Sequence, residues 1–228
     1  MRIVNLRKES IIFVVCMGII LGSLINSVNN EIEPTFAMPL SNKIILIDAG
    51  HGGWDPGKIA GKNIFEKDIN LSIAKKLQEY LEQSGAFVFM TRATDTALSN
   101  KKMSDMRNRR EISNQTKADM MLSIHQNSFV REKANGAQVF YYKDSSDGKN
   151  LAECIQKEIK KNADENNNHV AQTNSDYYIL RKIKIPSVII ECGFLSNNNE
   201  RQKLLDDKYQ NKIAWAIYLG VLDYYTKK

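Results

Sequence analysis

Short, almost wholly apolar runs alternate along this chain with longer segments in which apolar positions recur every three or four residues. The short runs cover residues 43–48, 86–91, 120–125, 138–142 and 187–192. Several are apolar at every position instead of every second one, the pattern of strands covered on both faces. The longer segments read as helices. Ile69, Ile73, Leu77, Tyr80 and Leu81 line one face of the first, and Gly85 is placed to cap its C-terminal end. Residues 105–116, 148–166 and 209–226 carry further helical patterns, while the polar, Asn-rich stretch 164–174 reads as a loop. Strands alternating with helices in this way predict an α/β fold, a sheet with helices on both faces. No internal repeat interrupts the alternation.

The N-terminal end breaks the pattern. Arg2, Arg7 and Lys8 precede a nearly unbroken apolar run over 11–25. That run falls between a long signal-peptide core and a short membrane span. Residues 1–30 are therefore read as an export segment, with the basic flank left inside and the rest of the chain exported. Thr35-Phe36-Ala37 has the small-x-small form of a cleavage site but lies far beyond the run. Both an uncleaved anchor and a cleaved signal fit, and the distance favours the anchor. Residues 31–42 read as a polar, Pro-containing linker, and 43–228 as one domain.

Composition narrows the function without naming it. The 228 residues are 43% hydrophobic and 25% charged, ordinary for a globular protein. The net charge of +6 suits either a solvated lysine-rich surface or attraction to an anionic polymer. Nucleic acid is excluded as a partner, because the basic residues are scattered and no basic motif interleaved with aromatics is present. Three cysteines do not make a disulfide scaffold: Cys16 lies in the apolar run, and Cys154 and Cys192 read as one bridge or as two buried thiols.

The chemistry concentrates at strand ends. Two of the three histidines, His51 and His125, end apolar runs, and so does Glu191. Glu66 opens the first helix after a Gly-rich stretch. Two imidazoles and one carboxylate are a donor set for a catalytic zinc with an open fourth position. A further, unligated carboxylate is what an attacking water needs as its base. Each residue has a plainer reading. His51 could be incidental to a glycine turn, Glu66 could favour the helix dipole, and His125 could be a satisfied core histidine. Glu191 could sit in an ion pair with Arg92 or Arg109. It is the coincidence of all four that favours a site, with Glu191 as base. Asn127 either orients its loop or meets a substrate amide, and an arginine or a glycine-turn N–H would steady an oxyanion. Cys192 beside Glu191 offers a thiol nucleophile only if it is accessible.

These residues resemble the zinc-dependent N-acetylmuramoyl-L-alanine amidases of bacterial cell walls, the amidase-3 type. The match runs through Ile47-Asp48-Ala49-Gly50-His51-Gly52-Gly53, Glu66-Lys67-Asp68-Ile69-Asn70-Leu71, Thr91-Arg92 and Asp95. It continues through Arg109, Asn114, Ala118-Asp119 and Ser123-Ile124-His125, and ends with Pro186 to Asn197. The resemblance implies a mainly parallel sheet of about six strands. It implies one zinc ion held by His51, Glu66 and His125, with Glu191 as the catalytic carboxylate. Arg92, Arg109 and Asn127 are the candidate substrate contacts. The reaction implied is hydrolysis of the amide between N-acetylmuramic acid and the L-alanine of the peptidoglycan stem peptide. Gln126 departs from the alanine frequent in the family. A single domain behind an export segment looks like the sporulation branch that prepares muramic-δ-lactam in spore cortex, acting between the forespore membranes or in the wall. Ligands spread over separate loops suggest a partner protein that orders the zinc site. Three rival readings remain, a zinc carboxypeptidase or deacetylase, a non-catalytic peptidoglycan-binding homologue and a thiol hydrolase using Cys192.

Overall fold

The computed structural model describes residues 17–19, 38–130 and 133–227. Apart from 17–19, the expected export segment lies outside the described residues. Among the described residues no helix is long and apolar enough to cross a membrane. Residues 38–228 form a compact unit. Its packing reaches back into the stretch read as linker: Leu40 is fully buried, and its N–H donates to the Ser84 carbonyl at 3.0 Å.

The chain order is β1 (Ile44–Ala49), β2 (Ile59–Ala60), β3 (Ile64–Phe65), α1 (Glu66–Gln83), β4 (Phe87–Met90), α2 (Lys102–Thr116), β5 (Met120–Asn127), β6 (Gln138–Tyr141), α3 (Ser146–Asn162), β7 (Gln172–Thr173), α4 (Tyr178–Lys182), β8 (Ser187–Phe194), α5 (Asn198–Leu205) and α6 (Asp207–Thr226). Six strands form one sheet in the order β4-β1-β5-β8-β6-β7. Pairing is parallel except where β6 meets β8. This is the mainly parallel, six-stranded α/β sheet expected, with helices on both faces. The helix read over 105–116 begins earlier, at Lys102, and that over 148–166 ends earlier, at Asn162.

The continuous apolar runs in β1, β5 and β8 are explained by what each face meets. Strand side chains alternate between faces. Ile45, Ile47, Met120, Leu122, Ile124, Val188, Ile190 and Cys192 join one core with Ile73 and Leu77 of α1, Ile155 of α3 and Ile217 of α6. Leu46 and Met121 point the other way, into a small cluster with Ala118, Ile179 and Ile183, against Met106 and Ile112 of α2. On that second face the carboxyl halves of the strands turn polar, and there the site lies. In open α/β sheets this end of the strands is the usual place for one.

Candidate active site

Three segments converge beyond the carboxyl ends of β1 and β5. His51 leaves β1 in a turn and adopts a left-handed backbone, φ 61°, uncommon for a residue with a side chain. Its Nδ1 lies 2.9 Å from Asp55 Oδ2, which fixes the ring, and its Nε2 lies 3.2 Å from Glu66 Oε1. His125, on β5, places Nδ1 3.0 Å from the same Glu66 oxygen. The two imidazoles meet edge to face with centroids 5.0 Å apart. Two close approaches make this possible. A Cβ on Gly50 would stand 2.3 Å from the His125 ring, and one on Gly57, at φ +66°, would stand 2.5 Å from Glu66 Oε2.

Glu66 is the first residue of α1, where the helix dipole favours a carboxylate. Oε1 accepts from the Gln126 N–H at 3.1 Å and from Asn70 Nδ2 at 3.3 Å, and Oε2 accepts from the Lys58 N–H at 2.8 Å. Burial alone would raise its pKa, but hydrogen bonds from His125 and His51 hold it well below the usual carboxylate range. Gln126 does not crowd the ligands. Its side-chain amide donates to Asn70 Oδ1 at 3.1 Å, and Asn70 in turn donates to the Gly50 carbonyl at 3.1 Å, so one buried chain of amides joins all three ligand-bearing segments.

Among the described residues, His51, Glu66 and His125 are the group able to hold a metal, their donor atoms lying within 4.8 Å of one another. Tetrahedral zinc with bonds near 2.1 Å needs donors about 3.4 Å apart. The two histidine-to-glutamate separations, 3.2 and 3.0 Å, are close to that. The donor set and its spacing fit zinc, and the Asp55 carboxylate on His51 supplies the outer hydrogen bond such a ligand usually has.

Glu191 stands beside His125, its register partner on the neighbouring parallel strand. Oε1 accepts a hydrogen bond from the Tyr177 hydroxyl at 3.2 Å, while the buried Oε2 has no partner among the described residues. Burial, reinforced by the charge of Glu66, pushes its pKa up against the opposing pull of His125, Tyr177 and His51. Among the described residues no arginine pairs with it. A cavity of about 290 Å³ opens over these groups, walled by Tyr177, Met106, Ile179 and Ile189.

The candidate substrate contacts fare differently. Arg92 donates to four backbone carbonyls, of Ala49, Thr94, Gly50 and Lys67. Arg109 borders the cavity, but it binds Asp48 and Asp105, each at 2.6 Å, and the carbonyls of Ala49 and His51. Both arginines therefore brace the ligand loop, four of the five N–H groups of each being engaged there. Asn127 is spent on its own loop, accepting from the Ser128 N–H at 2.7 Å, and does not line the cavity.

Cys192 faces the other core, its thiol pushed up by complete burial, so no thiolate nucleophile meets His125. Cys154 and Cys192 are both free and form no bridge. His169 bonds the Asn135 carbonyl, away from the cavity. Sequence reasoning missed Asp55, Asn70 and Tyr177. Asp55 carries a local signal, four residues after His51 in the same Gly-rich turn.

The chain matches the family model described as N-acetylmuramoyl-L-alanine amidase over residues 45–223. It is 39% identical over 208 residues to the germination-specific N-acetylmuramoyl-L-alanine amidase of Bacillus subtilis (strain 168), covering 88% of this chain and 87% of that protein. A solved structure of the CwlD amidase from Clostridioides difficile, in complex with the GerS lipoprotein, is 46% identical with TM-score 0.79, covering 82% of this chain and 100% of that one. The catalytic domain of CwlV, an N-acetylmuramoyl-L-alanine amidase from Bacillus (Paenibacillus) polymyxa, is 30% identical with TM-score 0.73, covering 82% of this chain and 99% of that one.

Proposed function

The chain belongs to the Amidase_3 family of N-acetylmuramoyl-L-alanine amidases, and on that premise we propose that His51, Glu66 and His125 hold a catalytic zinc while Glu191 is the general base. The substrate is peptidoglycan, and the bond cleaved joins the lactyl group of N-acetylmuramic acid to L-alanine. The observation that carries the assignment of roles is the pairing of a three-donor cluster with a buried carboxylate oxygen that has no hydrogen-bond partner among the described residues. A buried polar atom left unpaired costs stability, so its retention calls for a use.

Zinc, when bound, acidifies a water and polarises a carbonyl. The chain's own residues do the rest. Glu191, with its raised pKa, accepts a proton at Oε2 as the amide carbonyl is attacked. It then gives that proton to the departing alanine nitrogen. His51 is kept in one tautomer by Asp55, and Arg109 pins the ligand loop through the His51 carbonyl. The N–H groups of Gly50, Gly52 and Gly53 are all engaged within the fold, whereas Arg109, which borders the cavity, keeps one of its five N–H groups for the oxyanion.

The biological setting follows the relatives. Similarity to a germination-specific amidase supports a role in spore cortex, in forming muramic-δ-lactam. Residues 1–30 act as export signal or anchor, and the linker after them as a tether that ends where Leu40 packs into the domain, leaving the catalytic domain outside the cytoplasmic membrane. Because the similar CwlD structure holds a lipoprotein, a partner that orders the zinc site fits this chain as well.

Metal analysis alongside digestion of purified spore-cortex or wall peptidoglycan tests the reading. The wild type should bind one zinc and free stem peptides with a new N-terminal alanine, and should stop with a chelator. His51→Ala should lose metal and activity together. Release of free D-alanine or acetate with no new N-terminal alanine would favour a carboxypeptidase or deacetylase instead. If no activity appears, repeating the digestion with a candidate partner separates dependence on that partner from loss of catalysis.

A further inference from the structure

We propose that Tyr177 is a positioning residue for this reaction: its phenol fixes one oxygen of Glu191 and so presents the other, Oε2, to the His51–Glu66–His125 group. The inference rests on the reading of Glu191 as base and adds the group that aims it.

The two oxygens of Glu191 have unequal surroundings. Oε1 accepts the Tyr177 hydroxyl at 3.2 Å, and Oε2 is buried without a partner among the described residues. A glutamate's last torsion is broad and roughly two-fold, so either oxygen would serve equally unless something distinguishes them. The phenol does. It is itself firmly placed. Asn174 Oδ1 accepts from the N–H groups of Asp176 and Tyr177 at 2.8 and 3.2 Å, and the Asn174 N–H donates to the Tyr141 carbonyl at 2.9 Å. The Tyr177 ring also packs edge-on against Phe140, centroids 5.8 Å apart. Tyr141 and Phe140 belong to β6, which pairs with β8, the strand that carries Glu191. The anchor and the group it holds are thus referred to the same pair of strands. Burial and the adjoining Glu191 push the phenol up, which keeps it an O–H donor. It also lines the cavity, within reach of the chemistry it steers.

The test uses the full chain with peptidoglycan as substrate. Tyr177→Phe keeps the ring and its packing and removes the hydrogen bond. The expected result is a kcat lower by about tenfold, with KM changed by less than about twofold. Zinc content and Tm should match the wild type. An unchanged kcat overturns the proposal, as does a loss carried by KM, or a kcat loss accompanied by falling zinc content or Tm. Glu191→Asp provides the second arm, since its carboxylate is one methylene short of the phenol. There Tyr177→Phe should slow turnover by less than about twofold, and an equal tenfold loss in that background overturns the idea. Glu191→Gln separates the two readings. If it turns over like the wild type, the base assignment itself is wrong. If it is inactive while Tyr177→Phe is fully active, Tyr177 alone is removed.

Discussion

One face of the sheet is dry and the other changes character along its length, although the same strands build both. On the dry face Ile45, Ile47, Leu122, Ile124 and Ile190 pack against three long helices, α1, α3 and α6, and the polar groups there, such as Gln126 with Asn70 and Gln156 with the Val139 N–H, are bonded to one another or to the backbone. On the second face the apolar cover is small, chiefly Leu46 and Met121 under α2 and α4. Toward the carboxyl ends it gives way to Asp48, Ser123 and Arg109, then to His125 and Glu191. Strand alternation lets each neighbouring pair of residues serve two purposes. Ile190 and Glu191 are adjacent in sequence, one contributing to the core and the other to the site. The contrast suggests that stability is concentrated on one side and chemistry on the other.

That division can be broken at its extremes. Glu191→Gln should cut turnover by about a thousandfold. The same change should leave the urea midpoint unchanged or raise it, since a buried carboxylate oxygen without a partner is replaced by a neutral amide. A thousandfold loss accompanied by a large fall in the midpoint would mean that Glu191 serves the fold instead.

Arg109 tests the boundary between the two regimes, because it ties Asp48 in the sheet to the His51 carbonyl. Removing one member of a buried pair leaves the other charged and alone. Arg109→Leu should therefore cost about 3–5 kcal/mol in urea unfolding, and zinc affinity should fall with it. The pair also sets acid sensitivity. Burial opposes ionisation of Asp48, but Arg109, Ser123 and Thr91 outweigh it and bring the carboxyl from its ordinary 3.8 down to about 2. Its contribution is complete above the ordinary value and is lost as the pH falls through that window toward the folded-state value. Unfolding midpoints measured across this range should decline less steeply in Arg109→Leu than in the wild type.

The mildest change probes the dry side. Ile217→Val should cost about 0.5–1.5 kcal/mol while kcat, KM and zinc content stay at wild-type values. Altered kinetics from so remote a methylene would show that the two faces are coupled.

The dry face was also the more legible in the sequence. The unbroken apolar runs of β1, β5 and β8 announce strands buried on both sides, and Ile69, Ile73 and Leu77 announce the helix that covers them. Small polar elements leave no such trace. β7 is Gln172–Thr173, inside a stretch read as loop, and it exists because β6 offers it an edge to pair with. The ribbon of β2 and β3 and the short helices α4 and α5 are equally silent, being too brief for periodicity to register. In the site, His51, Glu66, His125 and Glu191 stood out because polar groups at the ends of apolar runs need a reason. Tyr177 did not, since its link to Glu191 spans β6, α4 and β8 and exists only in three dimensions. The roles of Arg92 and Arg109 are ambiguous in the sequence for a related cause. A guanidinium near a ligand loop looks the same in sequence whether it faces substrate or the loop's own carbonyls.

The register between β5 and β8 carries a last implication. His125 and Glu191 are opposite one another across a ladder of main-chain hydrogen bonds. The gap between them is therefore set by the sheet and not by a loop, and the pair is the last before the register shifts between His125 and Asn127. Sliding β8 by a single position would swing Glu191 into the oily layer beneath α3 and bring Ile190 or Cys192 out in its place. Insertions and deletions within these two strands should accordingly be far less tolerable than changes of length in the turns that deliver His51 and Glu66.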